Sequence, residues 1–190
     1  MVVIATCCYA GTQHLIIHLY DDIPVQKPWA IDTMIPLTPH FVFIYGTLPI
    51  IIFVGAFKAK PTNFKTLILA AVIAQVIAYP TFIIFPSQME RFDLNEFNGI
   101  LKECMRLTYE WDMPLNTWPS LHVTYCILMV QCIGRKNILM YLWAIAVILS
   151  TLFIKQHMFF DVITGLLLSY FSWFLANKLY TRHTLSKNTQ

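Results

Sequence analysis

The stretch "TLILAAVIAQVIAYPTFIIF", residues 66–85, decides the fold, because it runs for twenty residues without a charged side chain. A helix of roughly 20 mostly apolar residues is long enough to cross the hydrocarbon core of a bilayer. The whole chain shares this character, since 57% of its residues are hydrophobic, 12% are charged and the mean hydropathy is +0.60. Soluble domains carry about 25% charged residues. The composition therefore predicts an integral membrane protein.

Five apolar segments predict membrane-spanning helices, at residues 41–57, 66–85, 121–133, 138–154 and 158–179. Segment 121–133 is short for a span, but it can extend at both ends if Ser120 and His122 face protein instead of lipid. The first twenty residues are a sixth candidate, diluted by Gln13, His14 and His18, and they lack the features of a cleavable signal peptide. We therefore expect an all-α membrane bundle of about six transmembrane helices, with residues 1–190 forming a single domain.

The distribution of charge predicts the orientation of this bundle. Basic residues cluster in the second connection, the fourth connection and the C-terminal tail: Lys58, Lys60, Lys65, Arg135, Lys136, Lys178, Arg182 and Lys187. Acidic residues lie in or beside the first, third and fifth connections: Asp21, Asp22, Asp32, residues 90–112 and Asp161. Short cytoplasmic loops are enriched in Lys and Arg. Six spans would thus place both termini in the cytoplasm and the acidic connections outside, whereas five would leave the N-terminal segment on the outer surface.

Several functional classes are not supported by the sequence. The net charge of +3 comes from basic residues spread over three loops without interleaved aromatic residues, so we expect no nucleic-acid partner. The cysteines lack C-x-x-C spacing, which argues against a disulfide framework or a zinc site: Cys7, Cys8, Cys104, Cys126 and Cys132. His14 and His18 share a helical face near Asp21 and Asp22, but no strict ligand spacing accompanies them. We expect no metal and no cofactor.

Three ionisable residues lie at the outer ends of predicted spans: His122, His157 and Asp161. Such residues are costly in a membrane and mark functional sites by default. His157 and Asp161 are four residues apart, which would place them on one helical face. A carboxylate bonded to one imidazole nitrogen leaves the other nitrogen free and more basic, as a nucleophile requires. The alternative for Asp161 is a first-turn acid stabilised by the helix dipole.

Phosphate binding is predicted beside these residues. Ser120 and the amides after Pro119 lie where a helix begins, and helix N-termini receive anions. Lys155 adds a positive charge two residues before His157. Ser120 could instead be only a helix cap, and Lys155 could simply extend its amine towards the interface. With two histidines on the same membrane face, one can attack phosphorus while the other protonates the leaving oxygen.

The motifs "PSLH" at residues 119–122 and "STLFIKQHMFFDVITG" at residues 150–165 resemble the second and third signature motifs of the type-2 phosphatidic acid phosphatase superfamily. The resemblance implies that His157 is the nucleophile, that Asp161 is its partner and that His122 is the acid. The Pro-Ser-Leu-His form, together with "IDTMIPLTPHFVFIY" at residues 31–45, is similar to the inositol phosphorylceramide synthase branch. The resemblance covers the chain from about residue 31 to residue 175.

The sequence departs from the family pattern at three places. Leu121 replaces the usual glycine of the second motif, and Thr151 stands where the third motif has arginine. The first motif, a lysine followed after six residues by Arg-Pro, has no recognisable counterpart. Its phosphate-binding role would pass to other residues, for which Lys102 and Arg106 are the candidates, while Lys155 would supply the charge of the arginine that Thr151 replaces.

These observations predict an integral membrane lipid phosphatase that acts on a lipid phosphate or pyrophosphate at the non-cytoplasmic face through a phosphohistidine. If a second lipid or a polyol resolves the intermediate, the protein is a phospholipid head-group transferase instead. The missing first motif favours transfer, while the short chain favours hydrolysis. A third alternative is a non-catalytic lipid-binding or transport relative, which the arginine replacement at Thr151 would suit. The identity of the lipid and the oligomeric state are not encoded in these motifs.

Overall fold

The protein is described here by a computed structural model covering residues 2–134 and 137–188. Its described residues form nine α-helices and two short 3-10 helices, and no strand. The α-helices are α1 (Val2–Leu19), α2 (Ala30–Met34), α3 (Val42–Tyr45), α4 (Leu48–Lys58), α5 (Pro61–Ile84), α6 (Gly99–Trp111), α7 (Leu121–Ile133), α8 (Ile138–Phe153) and α9 (Phe159–Asn188). The 3-10 helices are Pro39–Phe41 and Leu94–Glu96. The predicted all-α class is thus confirmed for the described part of the chain.

Three helical segments of the described chain are long and apolar enough to cross a membrane: Pro39–Lys58, Pro61–Ile84 and Phe159–Thr181. Two further apolar helices, α7 with 13 residues and α8 with 16, are shorter. At a rise of about 1.5 Å per residue, α7 reaches roughly 20 Å, less than the hydrocarbon thickness of about 30 Å. The membrane character of the sequence therefore reappears in the helices.

The first predicted span is not one continuous helix. The 3-10 turn Pro39–Phe41 leads into α3, and the chain is interrupted at Gly46 and Thr47 before α4 begins. Thr47 stabilises this interruption, because its hydroxyl donates to the carbonyl of Ile44 over 2.6 Å and accepts from the indole of Trp143 over 2.9 Å. Tyr45 consequently ends a short helix and lies at the same end of the bundle as the start of α7.

Helix α7 is the centre of the bundle. It packs against α4, α5, α8 and α9, and most of its side chains are buried on every face. A helix that is apolar all round is stable only when other helices enclose it. Its short length follows from this position, since its polar N-terminus lies inside protein and does not need to reach the lipid head groups.

Helices α7 and α9 approach closely at Gly165. A Cβ atom at this position would lie 2.6 Å from the carbonyl oxygen of Ser120 and 3.0 Å from the Cβ of Val123. The hydroxyl of Thr124 links the two helices at this crossing. It lies within donating distance of the carbonyl of Ser120, at 2.8 Å, and of the carbonyl of Gly165, at 3.0 Å. The absence of a side chain at Gly165 therefore sets how near the two helix N-termini lie.

The connections at this end fold over the bundle. Isolated bridges link Val25 to Gln88 and Gln88 to Leu115, so the first and third connections and the segment before α7 lie side by side. Helix α6 was not among the predicted elements. It carries one fully buried apolar residue, Met105, in a cluster with Val42 and Tyr45 of α3. These segments cover the starts of α7 and α9.

Parts of the charge-based prediction cannot be placed. Arg135 and Lys136 lie outside the described residues, as do the side chains of Cys7, Arg182 and Lys187. Lys58 ends α4 and Lys60 directly precedes α5, at the end of the bundle away from the site. The amide of Asn63 there donates to the carbonyl of Cys132 over 2.8 Å, which joins the start of α5 to the end of α7.

Candidate active site

Ser120 is the N-cap of α7. The backbone amide of Val123 donates to the Ser120 hydroxyl over 3.3 Å, and the serine is fully buried. A serine at this position satisfies one of the amides that a helix N-terminus leaves without an internal partner. The cap alternative is therefore present in the structure, while the phosphate contact of Ser120 stays a prediction. Leu121, which replaces the family glycine, is buried against α5 and α9.

Asp161 binds His157 through a turn rather than along one helical face. His157 lies two residues before α9, and its Nδ1 is 3.3 Å from Oδ2 of Asp161. The same oxygen accepts from the amide of Met158 over 2.9 Å, so Asp161 is also a first-turn acid of α9. Both interpretations of Asp161 are thus present together. The spacing correctly indicated the contact, but the expected helical geometry is replaced by a bend.

The other ring nitrogen of His157 faces His122. Nε2 of His157 and Nδ1 of His122 are 3.1 Å apart, and the rings lie edge to face with centroids 5.2 Å apart. Because Nδ1 of His157 is directed to a carboxylate, its Nε2 is the nitrogen that carries a free lone pair. The structure therefore brings the three predicted catalytic residues into one hydrogen-bonded row, with Nε2 of His157 at the centre.

The row continues beyond His122 to residues that the sequence did not single out. Nε2 of His122 is 2.7 Å from the hydroxyl of Tyr45, which also donates to the carboxylate of Asp112. Oδ2 of Asp112 is 3.6 Å from Nε2 of His122, and its other oxygen accepts from the hydroxyl of Tyr9 over 2.9 Å. Asp112 had one visible signal, since it is an acid eight residues before Ser120 on the predicted outer side.

Arg91 is another residue that the sequence did not indicate. Its Nη2 donates to the backbone carbonyl of Asp112, and its guanidinium lies 4.1 Å from the centroid of the Tyr109 ring. Nε and Nη1 are buried and have no hydrogen-bond partner among the described residues. Burial lowers the pKa of Arg91, and the negative charge of Asp112 opposes that shift. A guanidinium with unused donors is suited to phosphate oxygens, and this one lies against Asp112.

The basic residues proposed from the sequence are bonded elsewhere. Nζ of Lys155 donates to the carbonyls of Asp32 and Ile35 over 2.9 and 2.5 Å, and burial lowers its pKa. Lys155 therefore ties α2 to the loop that carries His157. No phosphate contact of Lys155 follows from this arrangement.

Lys102 and Arg106 lie on α6 and also have other partners. Nζ of Lys102 donates to Asn95 over 3.1 Å, and Arg106 pairs with the exposed Glu103 and Glu110. Within the described residues, neither side chain has a hydrogen bond to the histidine row. Their phosphate-binding role stays a prediction without a contact to support it.

Two polar residues of the first connection form hydrogen bonds around the loop that carries His157. Nε2 of Gln26 donates to Oδ1 of Asp161 over 2.7 Å, which satisfies the oxygen that His157 does not use. Oδ1 of Asp32 accepts from the amide of Phe159, the first residue of α9, over 2.7 Å. Both side chains bond to the backbone or carboxylate next to His157, so the first connection holds the loop that carries this histidine.

The arrangement has the parts of a nucleophilic phosphoryl-transfer site. It holds an oriented imidazole, a second imidazole against it, a buried carboxylate and a nearby guanidinium. Among residues 2–134 and 137–188, no group of three or more His, Cys, Asp or Glu side chains is placed to hold a metal ion. His14 and His18 are exposed on α1 in this part of the chain.

Comparison of the chain with protein-family models, curated proteins and solved structures gave no match.

Proposed function

We propose that this protein is an integral membrane lipid phosphatase that forms a phosphohistidine on His157. The observation that carries the proposal is the hydrogen-bonded row of Asp161, His157 and His122, with distances of 3.3 and 3.1 Å. A carboxylate, an imidazole nucleophile and a second imidazole are the groups needed to attack phosphorus and to release an alkoxide leaving group. The motif resemblance described above leads to the same chemistry.

The first step is attack by Nε2 of His157 on phosphorus. Asp161 holds the proton of Nδ1 on the opposite side of the ring, and so keeps the lone pair on Nε2. The carboxylate is fully buried, and both of its oxygens are occupied, by Gln26 on one side and by Met158 on the other. This fixed acceptor also stabilises the positive charge that develops on His157 as the nitrogen–phosphorus bond forms.

His122 acts as the acid in the same step. Its Nδ1 faces the reacting nitrogen of His157, so the proton on Nδ1 passes to the leaving oxygen as the phosphorus–oxygen bond breaks. In the second step, water attacks the phosphohistidine and His122 accepts the proton that this water releases. Phosphate leaves, and both histidines return to their starting state.

Arg91 and the N-terminus of α7 are the groups proposed to hold the phosphoryl oxygens. Two nitrogens of Arg91, Nε and Nη1, have no hydrogen-bond partner among the described residues, and charge-assisted bonds of this kind are about twice as strong as neutral ones. The dipole of α7 adds a partial positive charge at Ser120. Together they would stabilise the charge that accumulates in the transition state.

A membrane lipid is the proposed substrate because an apolar groove leads away from the site. The groove has a volume of about 350 Å³ and lies between α5 and α9. Pro119 and Thr164 form one end of its lining, next to Ser120 and Asp161, while Ile77, Leu167 and Phe171 are apolar. An acyl or isoprenoid chain fits such a lining, with its phosphate at the polar end.

We further propose about six spans with both termini in the cytoplasm and the site at the non-cytoplasmic face. The N-termini of α7 and α9 and the C-terminus of α6 meet at the site end. Lys58 and Lys60 lie at the opposite end. A basic far end and an acidic site end are what the enrichment of Lys and Arg in cytoplasmic loops would produce.

The test is phosphate release by purified protein from a panel of lipid phosphates and pyrophosphates without added metal. The His157→Ala variant is measured beside it, and His40→Ala is the matched control, because His40 is exposed on the same side of the bundle. We expect release by the wild type and the control, and none by His157→Ala. Equal release by all three proteins would contradict the proposal.

Head-group transfer is the second candidate, and Asn116 favours it. This side chain is 3% exposed, four residues before Ser120, and both its amide nitrogen and its amide oxygen lack a partner among the described residues. A neutral donor and acceptor pair suits the hydroxyl group of an acceptor molecule. Mass spectrometry of the lipid products, with polyol or lipid acceptors supplied, distinguishes transfer from hydrolysis. Silence in both assays would indicate a non-catalytic lipid-binding relative.

A further inference from the structure

The hydroxyl of Tyr45 stands between His122 and Asp112. It is 2.7 Å from Nε2 of His122, within hydrogen-bonding reach of Oδ2 of Asp112, and the tyrosine is 8% exposed. The reaction proposed above uses the opposite nitrogen of His122 and assigns no role to Tyr45 or to Asp112. These two residues are 67 positions apart in sequence, and α3 and α6 pack together to bring them into contact.

The protons of His122, Tyr45 and Asp112 can be arranged in two ways. A phenol carries one proton, so Tyr45 can donate either to Asp112 or to His122, but not to both. If Asp112 is ionised, Tyr45 donates to it and accepts the Nε2 proton of His122. If Asp112 is protonated, it donates to Tyr45, and Tyr45 donates to Nε2 of His122. The two states differ by one proton moved along the row, with no heavy atom displaced.

We propose that Tyr45 and Asp112 form a proton relay for His122, with Asp112 as the proton store. This inference rests on the proposed phosphohistidine chemistry and adds the origin of the proton that reaches the leaving group. It makes Tyr45 and Asp112 positioning and relay residues, because neither contacts His157.

The relay balances over a full cycle. When phosphorus is attacked, the Nδ1 proton of His122 goes to the leaving oxygen, the phenolic proton of Tyr45 goes to Nε2, and the carboxyl proton of Asp112 goes to Tyr45. His122 is a neutral imidazole before and after, and Asp112 becomes a carboxylate. When water attacks the phosphohistidine, Nδ1 accepts a proton from this water and the three transfers run backwards. Asp112 is then protonated again.

This arrangement suits a site enclosed by a helical bundle. An imidazolium in a low-dielectric interior is costly unless it is paired, whereas the relay keeps His122 neutral at both ends of the step. The negative charge appears instead on Asp112. The hydroxyl of Tyr9 donates to that carboxylate over 2.9 Å, and the cationic Arg91 bonds to the backbone of the same residue. Both contacts would stabilise the negative charge that the step places on this residue.

The experiment compares phosphohistidine formation from two kinds of substrate, by rapid quenching with radiolabelled phosphate. A lipid phosphate has an alkoxide leaving group that needs a proton, whereas p-nitrophenyl phosphate has one that departs without help. We expect Tyr45→Phe to slow the reaction of the lipid phosphate by about 100-fold and that of the aryl phosphate by less than about threefold. Asp112→Asn, the second variant, should show the same selectivity.

The control is Tyr125→Phe, which removes a half-buried hydroxyl from the bundle. That hydroxyl accepts from Nε2 of Gln75 over 2.6 Å and is not part of the histidine row. It should change neither rate. An equal loss on both substrates in Tyr45→Phe and Asp112→Asn, or no loss on either, would overturn the relay while leaving the phosphohistidine intact. A wild-type protein that forms no phosphohistidine from either substrate would overturn the proposed function and the relay together.

Discussion

The backbone amide of Ser120 donates to the backbone carbonyl of Asp161 over 3.2 Å, which joins the N-cap of α7 to the first turn of α9. With the close approach at Gly165, this bond holds together the two elements that carry the histidines. His122 is two residues after one partner, and His157 is four residues before the other. The relative position of His122 and His157 therefore depends on main-chain packing as well as on their own side-chain contacts.

Replacing Gly165 tests this dependence. Gly165→Ala places a methyl group 2.6 Å from the carbonyl of Ser120, so α7 and α9 must move apart. We expect the thermal stability to fall by an equivalent of about 1–3 kcal/mol and the turnover to fall further. Gly11→Ala is the control, because nothing lies within 4 Å of the added methyl on α1. Full activity in Gly165→Ala would show that the helix crossing does not position the site.

The Asp161 carboxylate should control turnover more than substrate binding. Asp161→Asn keeps the size of the side chain but removes the charge that fixes the tautomer of His157, so we expect kcat to fall by about 10²- to 10⁴-fold with little change in KM. The measurement is steady-state phosphate release. Asp22→Asn, at an exposed position of the first connection, is the matched control. A change in KM alone would assign Asp161 to substrate binding.

Arg91 should bind phosphate, and the basic residues of α6 should not. Arg91→Lys retains the charge but loses the planar pair of donors, so we expect kcat/KM for a lipid phosphate to fall by about tenfold or more. Lys102→Ala and Arg106→Ala should stay within about twofold of the wild type, since exposed ion pairs contribute little. The opposite order, with α6 variants impaired and Arg91→Lys active, would restore the assignment suggested by the sequence.

The groove between α5 and α9 should select for long apolar chains. Leu167 lines it and is 65% exposed, so Leu167→Trp narrows the groove without disturbing the core. We expect KM to rise for a long-chain lipid phosphate and to stay unchanged for p-nitrophenyl phosphate, which has no chain to place there. Leu139→Trp on α8, also exposed, is the control. Identical effects on both substrates would show that the groove is not a chain-binding site.

The helices were largely predictable because long apolar segments indicate either burial in the protein or contact with lipid. Segment 66–85 corresponds to α5, and segment 121–133 has the limits of α7. The interruption at Gly46 and Thr47 was not predicted, because it depends on a bond from Trp143, 96 residues away. Helix α6 was missed for a different reason, since its charged residues hide the apolar face that contains Met105.

The site was predictable where its residues are close in sequence. His157 and Asp161 are four positions apart, so spacing alone indicated their contact. Tyr45 and Asp112 join His122 only through the packing of α3 and α6, which no local pattern reports. For Lys155, its position two residues before His157 suggested phosphate binding, whereas its amine donates to two carbonyls of the first connection, so the phosphate contact stays a prediction.

The direct contact between His122 and His157 has a consequence for how the resting protein is protected. The lone pair that would attack phosphorus points at the proton that would leave with the product. A phosphoryl group that reaches Nε2 of His157 must take the place that Nδ1 of His122 now occupies. Under the proposed mechanism, the substrate would expose Nε2 of His157 only as it binds, so the free protein would present no unoccupied nucleophile to other electrophiles in the membrane.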